Sequence, residues 1–115
     1  MGQIDKFIDK MQEDMKTQQV LAPEHWVDRA FKLNLFKGVE VDVPLYELES
    51  VLAKAKAELM SEPDMSVAKA NVFIQARDEY KEMQILKAKQ GQVTEFIRIA
   101  KQRARAVIDD YHNAG

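Results

Sequence analysis

Between Ser66 and His112 no proline interrupts a row of apolar residues at helical spacing. Phe73, Ala76, Tyr80, Met83 and Leu86 form its first part. Val93, Ile97, Ala100, Ala104, Val107 and Tyr111 continue it at intervals of three and four. The pattern predicts one long helix over about 66–112, roughly 70 Å from end to end at 1.5 Å per residue. A compact chain of this length has a radius of gyration of only about 13 Å. Either the protein is elongated and coiled-coil-like, or the helix doubles back. Gly91 is the position at which it would do so. A glycine costs a helix about 1 kcal/mol against alanine, but Lys89, Gln90, Gln92 and Val93 around it include no turn former, so a continuous helix is the expectation and a break at 90–92 the alternative. The stripe also changes phase between Tyr80 and Leu86, which marks a bend or a locally overwound stretch.

The segments before it are helical as well. Ile4, Phe7, Ile8, Met11 and Met15 make an amphipathic helix over Gln3 to Gln18, with Asp5, Lys6, Asp9, Lys10, Glu13 and Asp14 on its other face. Pro23 suits the first turn of a second helix, because the N–H it lacks has no partner there anyway. Trp26, Val27, Ala30, Phe31 and Leu33 supply its apolar positions as far as Phe36, and Gly38 suits a left-handed residue beyond its end. The aromatic trio Trp26, Phe31 and Phe36 reads as core, with an interface row as the other option. Val39–Val43 reads as an extended connector, after which Asp42 caps a third helix and Pro44 enters its first turn. Leu45, Leu48, Leu52, Ala55 and Leu59 then form a regular heptad seam. Ser61, Glu62, Pro63 and Asp64 make a turn, and Ser66 caps the long helix. The predicted fold is all-α, a helical hairpin or bundle in a single domain over 1–115. Four glycines and three prolines in a chain rich in straight-chain residues agree with it.

Composition narrows the chemistry. With no cysteine there is no disulfide, thiolate metal site or thiol nucleophile, which suits a reducing cytoplasm. Met1 to Val20 alternates charged and apolar residues, unlike a signal peptide or a membrane span. His25 and His112 are far from any nucleophile motif, and Asp109 with His112 is a single imperfect copy of the Glu-x-x-His pairs that di-metal bundles use. Glu79 and Glu82 share a helix face with Lys81 and read as ion-pairing residues. The glycines are singletons, so no phosphate loop exists. No catalytic, cofactor-binding or metal-ligating residue is predicted, and the chain is not expected to be an enzyme.

Charge is unevenly placed. Residues 1–66 carry 13 acids and 8 bases, whereas residues 67–115 carry 6 acids and 9 bases. Lys87, Lys89, Arg98, Lys101, Arg103 and Arg105 concentrate the basic bias, with Glu95 the one acid among them. These six are the candidates for contact with an acidic partner or with nucleic acid. The long helix would project past a globule built from the first 60 or so residues. Val93, Phe96, Ile97, Ala100, Val107 and Tyr111 are therefore the candidates for self-association.

Taken together, the helix Ile4 to Met15, Pro23-Glu24-His25-Trp26 with Lys32-Leu33-Asn34, the motif Glu79-Tyr80-Lys81-Glu82-Met83 and the run Glu95-Phe96-Ile97-Arg98-Ile99-Ala100-Lys101 resemble small helical proteins of tailed bacteriophages. The resemblance implies a phage protein made in a bacterial cytoplasm and carries over no site residue. The expectation is a non-enzymatic accessory protein that binds protein, as a homo-oligomer or on a host or virion component, away from membranes. The alternative is a packaging or replication accessory that holds nucleic acid on the basic helix.

Overall fold

In a computed structural model of the chain, the backbone is described for residues 2–16 and 21–114 and the side chains for residues 2–16 and 21–109. Tyr111 and His112 therefore lie outside the described side chains, as does most of the predicted break at Gln18 to Ala22. The order is α1 (Gly2–Lys16), α2 (Pro23–Lys37), a π-helical turn (Gly38–Asp42), α3 (Val43–Met60), α4 (Val67–Gln75) and α5 (Asp78–Ala114). The described residues contain no strand. The molecule measures 73 × 26 × 20 Å with a radius of gyration of 20.2 Å, the elongated one of the two forms that the apolar stripe left open.

Two of the predicted boundaries are wrong, each for a tertiary reason. The first is at Gly38. It is right-handed helical, at φ −57° and ψ −49°, not left-handed, and no extended connector follows it. Residues 38–42 form one wide turn instead, in which the Val43 N–H reaches back five residues to the Gly38 carbonyl. Pro44 explains the widening. It has no N–H to give to the Glu40 carbonyl, and its ring would press on that carbonyl in a regular helix, so an inserted residue relieves the clash. Asp42 caps nothing. Its carboxylate accepts from Lys37 Nζ at 2.9 Å and from Gln90 Nε2 at 2.9 Å. The two helices thus run into each other, because continuing the helix buries Val41 and Leu45 together.

The second is in the long helix. It does break, but at Ala76–Arg77 and not at Gly91, which sits inside α5 with open space where a Cβ would go. Ile74 and Met83 are both buried in the same cluster. Nine residues apart on one straight helix, they would point to opposite sides. The interruption resets the phase, and as a result Phe73 and Ala76, placed in the core stripe by their spacing, are exposed. α5 alone still spans about 55 Å. Ser66 caps α4 as expected, accepting the Lys69 N–H at 3.1 Å.

α5 is the spine on which two ends are built. At one end the heptad seam of α3 packs with Ile74 of α4 and Met83 and Leu86 of α5. At the other, α1 and α2 close over the second half of α5 in two adjoining clusters. Ile4, Phe7, Ile8, Leu33 and Val93 make one, and Met11, Trp26, Ala30, Ala100 and Ala104 the other. Trp26 shares the second cluster with two alanines of α5, Ala100 and Ala104.

Candidate functional site

α2 carries a second apolar row that the core leaves outside. Val27, Phe31 and Leu35 follow one another at intervals of four and lie opposite Trp26, Ala30 and Leu33, which are buried. They are 57%, 67% and 53% exposed, and Ile108 of α5, at 42%, lies beside them. Shallow clefts flank the Phe31 ring between the two helices. One is lined by Pro23, Glu24, Val27, Asp28, Phe31 and Ile108. The other is lined by Val27, Ala30, Phe31, Asn34, Ile97 and Lys101. Both charge signs border the apolar strip. Glu24 and Asp28 edge it on α2, while Lys101 and Arg105 stand on α5 at helical spacing with Ile108. Asp28 pairs with Lys32 at 3.2 Å; Lys101 and Arg105 make no ion pair among the described residues. Phe31, read from its spacing as core, is thus the centre of an exposed face, whereas Trp26 is buried and Phe36 half-buried against Phe7, ring to ring at 5.3 Å. The signal was present in the sequence: a helix with apolar residues on two sides is buried on both or waiting for cover on one.

The six basic residues do not gather into one site. Lys89 turns inward to Asp5 at 2.7 Å, and Arg103 lies over the Trp26 ring at 5.2 Å. Lys87 stands 4.0 Å from Glu49, and Arg98 holds Glu95, keeping that carboxyl below its ordinary range. Lys101 and Arg105 make no ion pair among the described residues, and Lys101 lines the cleft beside Phe31. The predicted self-association stripe is also placed differently. Val93 and Ala100 are buried, and Phe96 and Ile97 half-buried, against α1 and α2 of the same chain. Val107 is half-exposed. The cover that this stripe lacked in sequence comes from its own N-terminal helices, so the premise of an uncovered stripe does not hold for these residues.

The remaining polar constellations are structural in form. His25 Nε2 meets Asp14 Oδ2 at 2.7 Å, and Arg29 Nε donates to the same oxygen at 3.1 Å, clipping α1 to α2. The imidazole stands edge-on to Trp26 at 5.2 Å. Glu79 accepts from its own backbone N–H and from Arg77, which hold its carboxyl below the ordinary range, and so it is a poor store for a catalytic proton. Among the described residues, no cluster of His, Asp or Glu side chains could hold a metal, and no helix is long and apolar enough to cross a membrane. A third, larger cleft opens at the α3–α4 turn beside Val72 and Phe73. It is confined to one turn and one short helix. No family model matches the sequence, and no curated protein or solved structure matches it either.

Proposed function

We propose that the protein is a non-enzymatic helical accessory protein whose work is protein–protein contact, and that the outer face of α2 with the adjoining edge of α5 is its working surface. The bacteriophage setting is part of this reading and rests on the sequence resemblance alone. One observation carries the rest: Val27, Phe31, Leu35 and Ile108 are exposed side by side. Single apolar residues on a surface are ordinary, but a contiguous strip rimmed by charge is the form that interaction sites take. An aromatic ring at the centre of such a strip is the usual anchor.

Photocrosslinking tests it. A photoreactive phenylalanine analogue at Phe31, in cells that make the protein, is expected to give a discrete protein adduct. The same analogue at Lys54, on the exposed side of α3, is the control. Equal, background-level labelling at both positions would sink the reading.

A further inference from the structure

The apolar clusters at the two ends share no residue. Where the inner stripe of α5 passes from Leu86 to Val93 it carries Lys89 and Gln90, so one layer across the molecule is polar. Two helical segments cross that layer. One is α5, and the other runs from α2 through the wide turn into α3. Leu33 shares a cluster with Val93, and Asp42 accepts from Gln90, so Gly38 and Gly91 lie at the same level between these two meetings. Each segment has its glycine where it crosses.

We propose that the molecule hinges at this layer: the α3–α4 end, with α5 up to Gln90, tilts as a unit about Gly38 and Gly91, and the N-terminus of α1 is the strap that holds it straight. The inference does not depend on what the α2–α5 face binds.

The layer is built to bend. A Cβ at Gly38 or Gly91 would meet no atom within 4 Å, so neither glycine is there to admit a close neighbour. What each supplies is the least restricted backbone of any residue. Beside Gly38, the π turn and Pro44 are both seats of bending in helices. Parting an apolar core would expose its area to water, whereas polar contacts within reach of solvent are exchanged for water at little cost.

The strap is polar too. Asp5 of α1 accepts from Lys89 Nζ at 2.7 Å, on the side of α5 that tilts, and the two side chains are 42% and 23% exposed. Glu40, in the wide turn, accepts the N–H groups of Gln3 at 3.1 Å and Ile4 at 2.9 Å. Both contacts tie the first turn of α1 across the glycines, while Phe7, Ile8 and Met11 anchor the rest of α1 in the core of its own end. The Lys37–Asp42 pair spans the turn itself and bends with it.

The full chain has no cysteine, so introduced cysteines take spin labels at chosen positions alone. Lys54→Cys with Arg105→Cys spans the layer, and Lys6→Cys with Arg105→Cys stays within the α1–α2 end as the control; all three positions are exposed. Double electron–electron resonance should give the spanning pair a wider distance distribution than the control, with the added population at shorter distance. Asp5→Asn with Glu40→Gln should raise that population about three-fold or more, the scale of losing two such contacts, with the control distribution and the helicity unchanged. Gly38→Ala with Gly91→Ala, both of which have room for the methyl group, should shrink it. A wild type as narrow as the control that broadens only when the strap is cut also supports the hinge, held shut by α1. A spanning pair as narrow as the control in both the wild type and the strap variant overturns the inference. So does a short population that both alanines leave unchanged, or a control pair that broadens along with the spanning pair, because the ends would then be loosening internally and not tilting as units.

Discussion

The two ends of the molecule share one spine but are not built to the same depth. At the α1–α2 end, three long helices surround the core, and Ile4, Met11, Leu33 and Val93 are wholly buried. At the α3–α4 end, α4 is only a short third wall. Leu45, Leu52, Ile74, Met83 and Leu86 all keep a trace of exposure, and of that cluster only Val41, beside the π turn, is sealed. Between the ends α5 places Lys89 and Gln90 where its inner stripe would continue from Leu86 to Val93, and these meet Asp5 and Asp42. A polar waist therefore separates two apolar cores. The lesson is that a regular heptad seam does not by itself make the better core. The seam lies at the shallower end, and what seals an interior is how many helices enclose it.

The largest effect should come from the sealed end. Leu33→Ala is expected to cost about 3–5 kcal/mol, because the walls around a wholly buried site cannot collapse into the space left. Leu52→Ala, the centre of the seam, should cost less, about 2–3 kcal/mol, since its surroundings already touch solvent. Chemical denaturation of the two variants side by side measures the difference. A larger loss at Leu52 would reverse the ranking of the two ends.

Glu40 comes next. From the π turn its two carboxylate oxygens accept the N–H groups of Gln3 at 3.1 Å and Ile4 at 2.9 Å, capping α1 from a distant part of the chain. Glu40→Ala should cost about 1 kcal/mol, typical for loss of a helix cap that is also an anion at the positive end of the helix dipole. Hydrogen exchange should rise in α1 and leave α3 and α4 untouched. A loss of protection at both ends alike would mean that the cap is not local.

Gly91, beside the waist, should give a gain of about 0.5–1 kcal/mol on replacement by alanine, because it is helical and a Cβ there meets no atom within 4 Å. A loss would show that the helix needs to give way at that point.

The smallest expected effect is the pH response of the waist. The Lys89 hydrogen bond outweighs burial and lowers the Asp5 carboxyl. At Asp42 burial is the largest single influence and pushes upward, but the hydrogen bonds from Gln90 and Lys37 together bring the carboxyl below its ordinary range. A carboxyl held lower in the folded than in the unfolded chain stabilises above the unfolded value of about 3.9, and that contribution is lost as pH falls through the folded value. Stability should therefore drop on acidification below about pH 4, and Asp42→Asn should make that drop shallower. Thermal melts at pH 3 to 6 would read it, and an unchanged slope would count against the waist as a titrating contact.

Much of this was legible in the residues. The helix from Ile4 onward, the start at Pro23, the seam from Leu45 to Leu59, the turn at Pro63 and the cap at Ser66 follow from spacing and local hydrogen-bonding chemistry, which act within a turn or two of chain. The break at Ala76–Arg77 and the wide turn at 38–42 were not legible in the same way. Gly38, Val39 and Asp42 look like an ending when judged by neighbours, and Ala76 and Arg77 do not. In both places the outcome depends on partners far along the chain: Gln90 for Asp42, the N-terminus of α1 for Glu40, and a shared core that Ile74 and Met83 can reach only from two helices. The candidate face divides similarly. That α2 is apolar on two sides is written in Trp26, Ala30 and Leu33 against Val27, Phe31 and Leu35. Which side is covered was decided by α1 and α5 closing over the first row, because a helix between two neighbours can bury only the faces turned toward them.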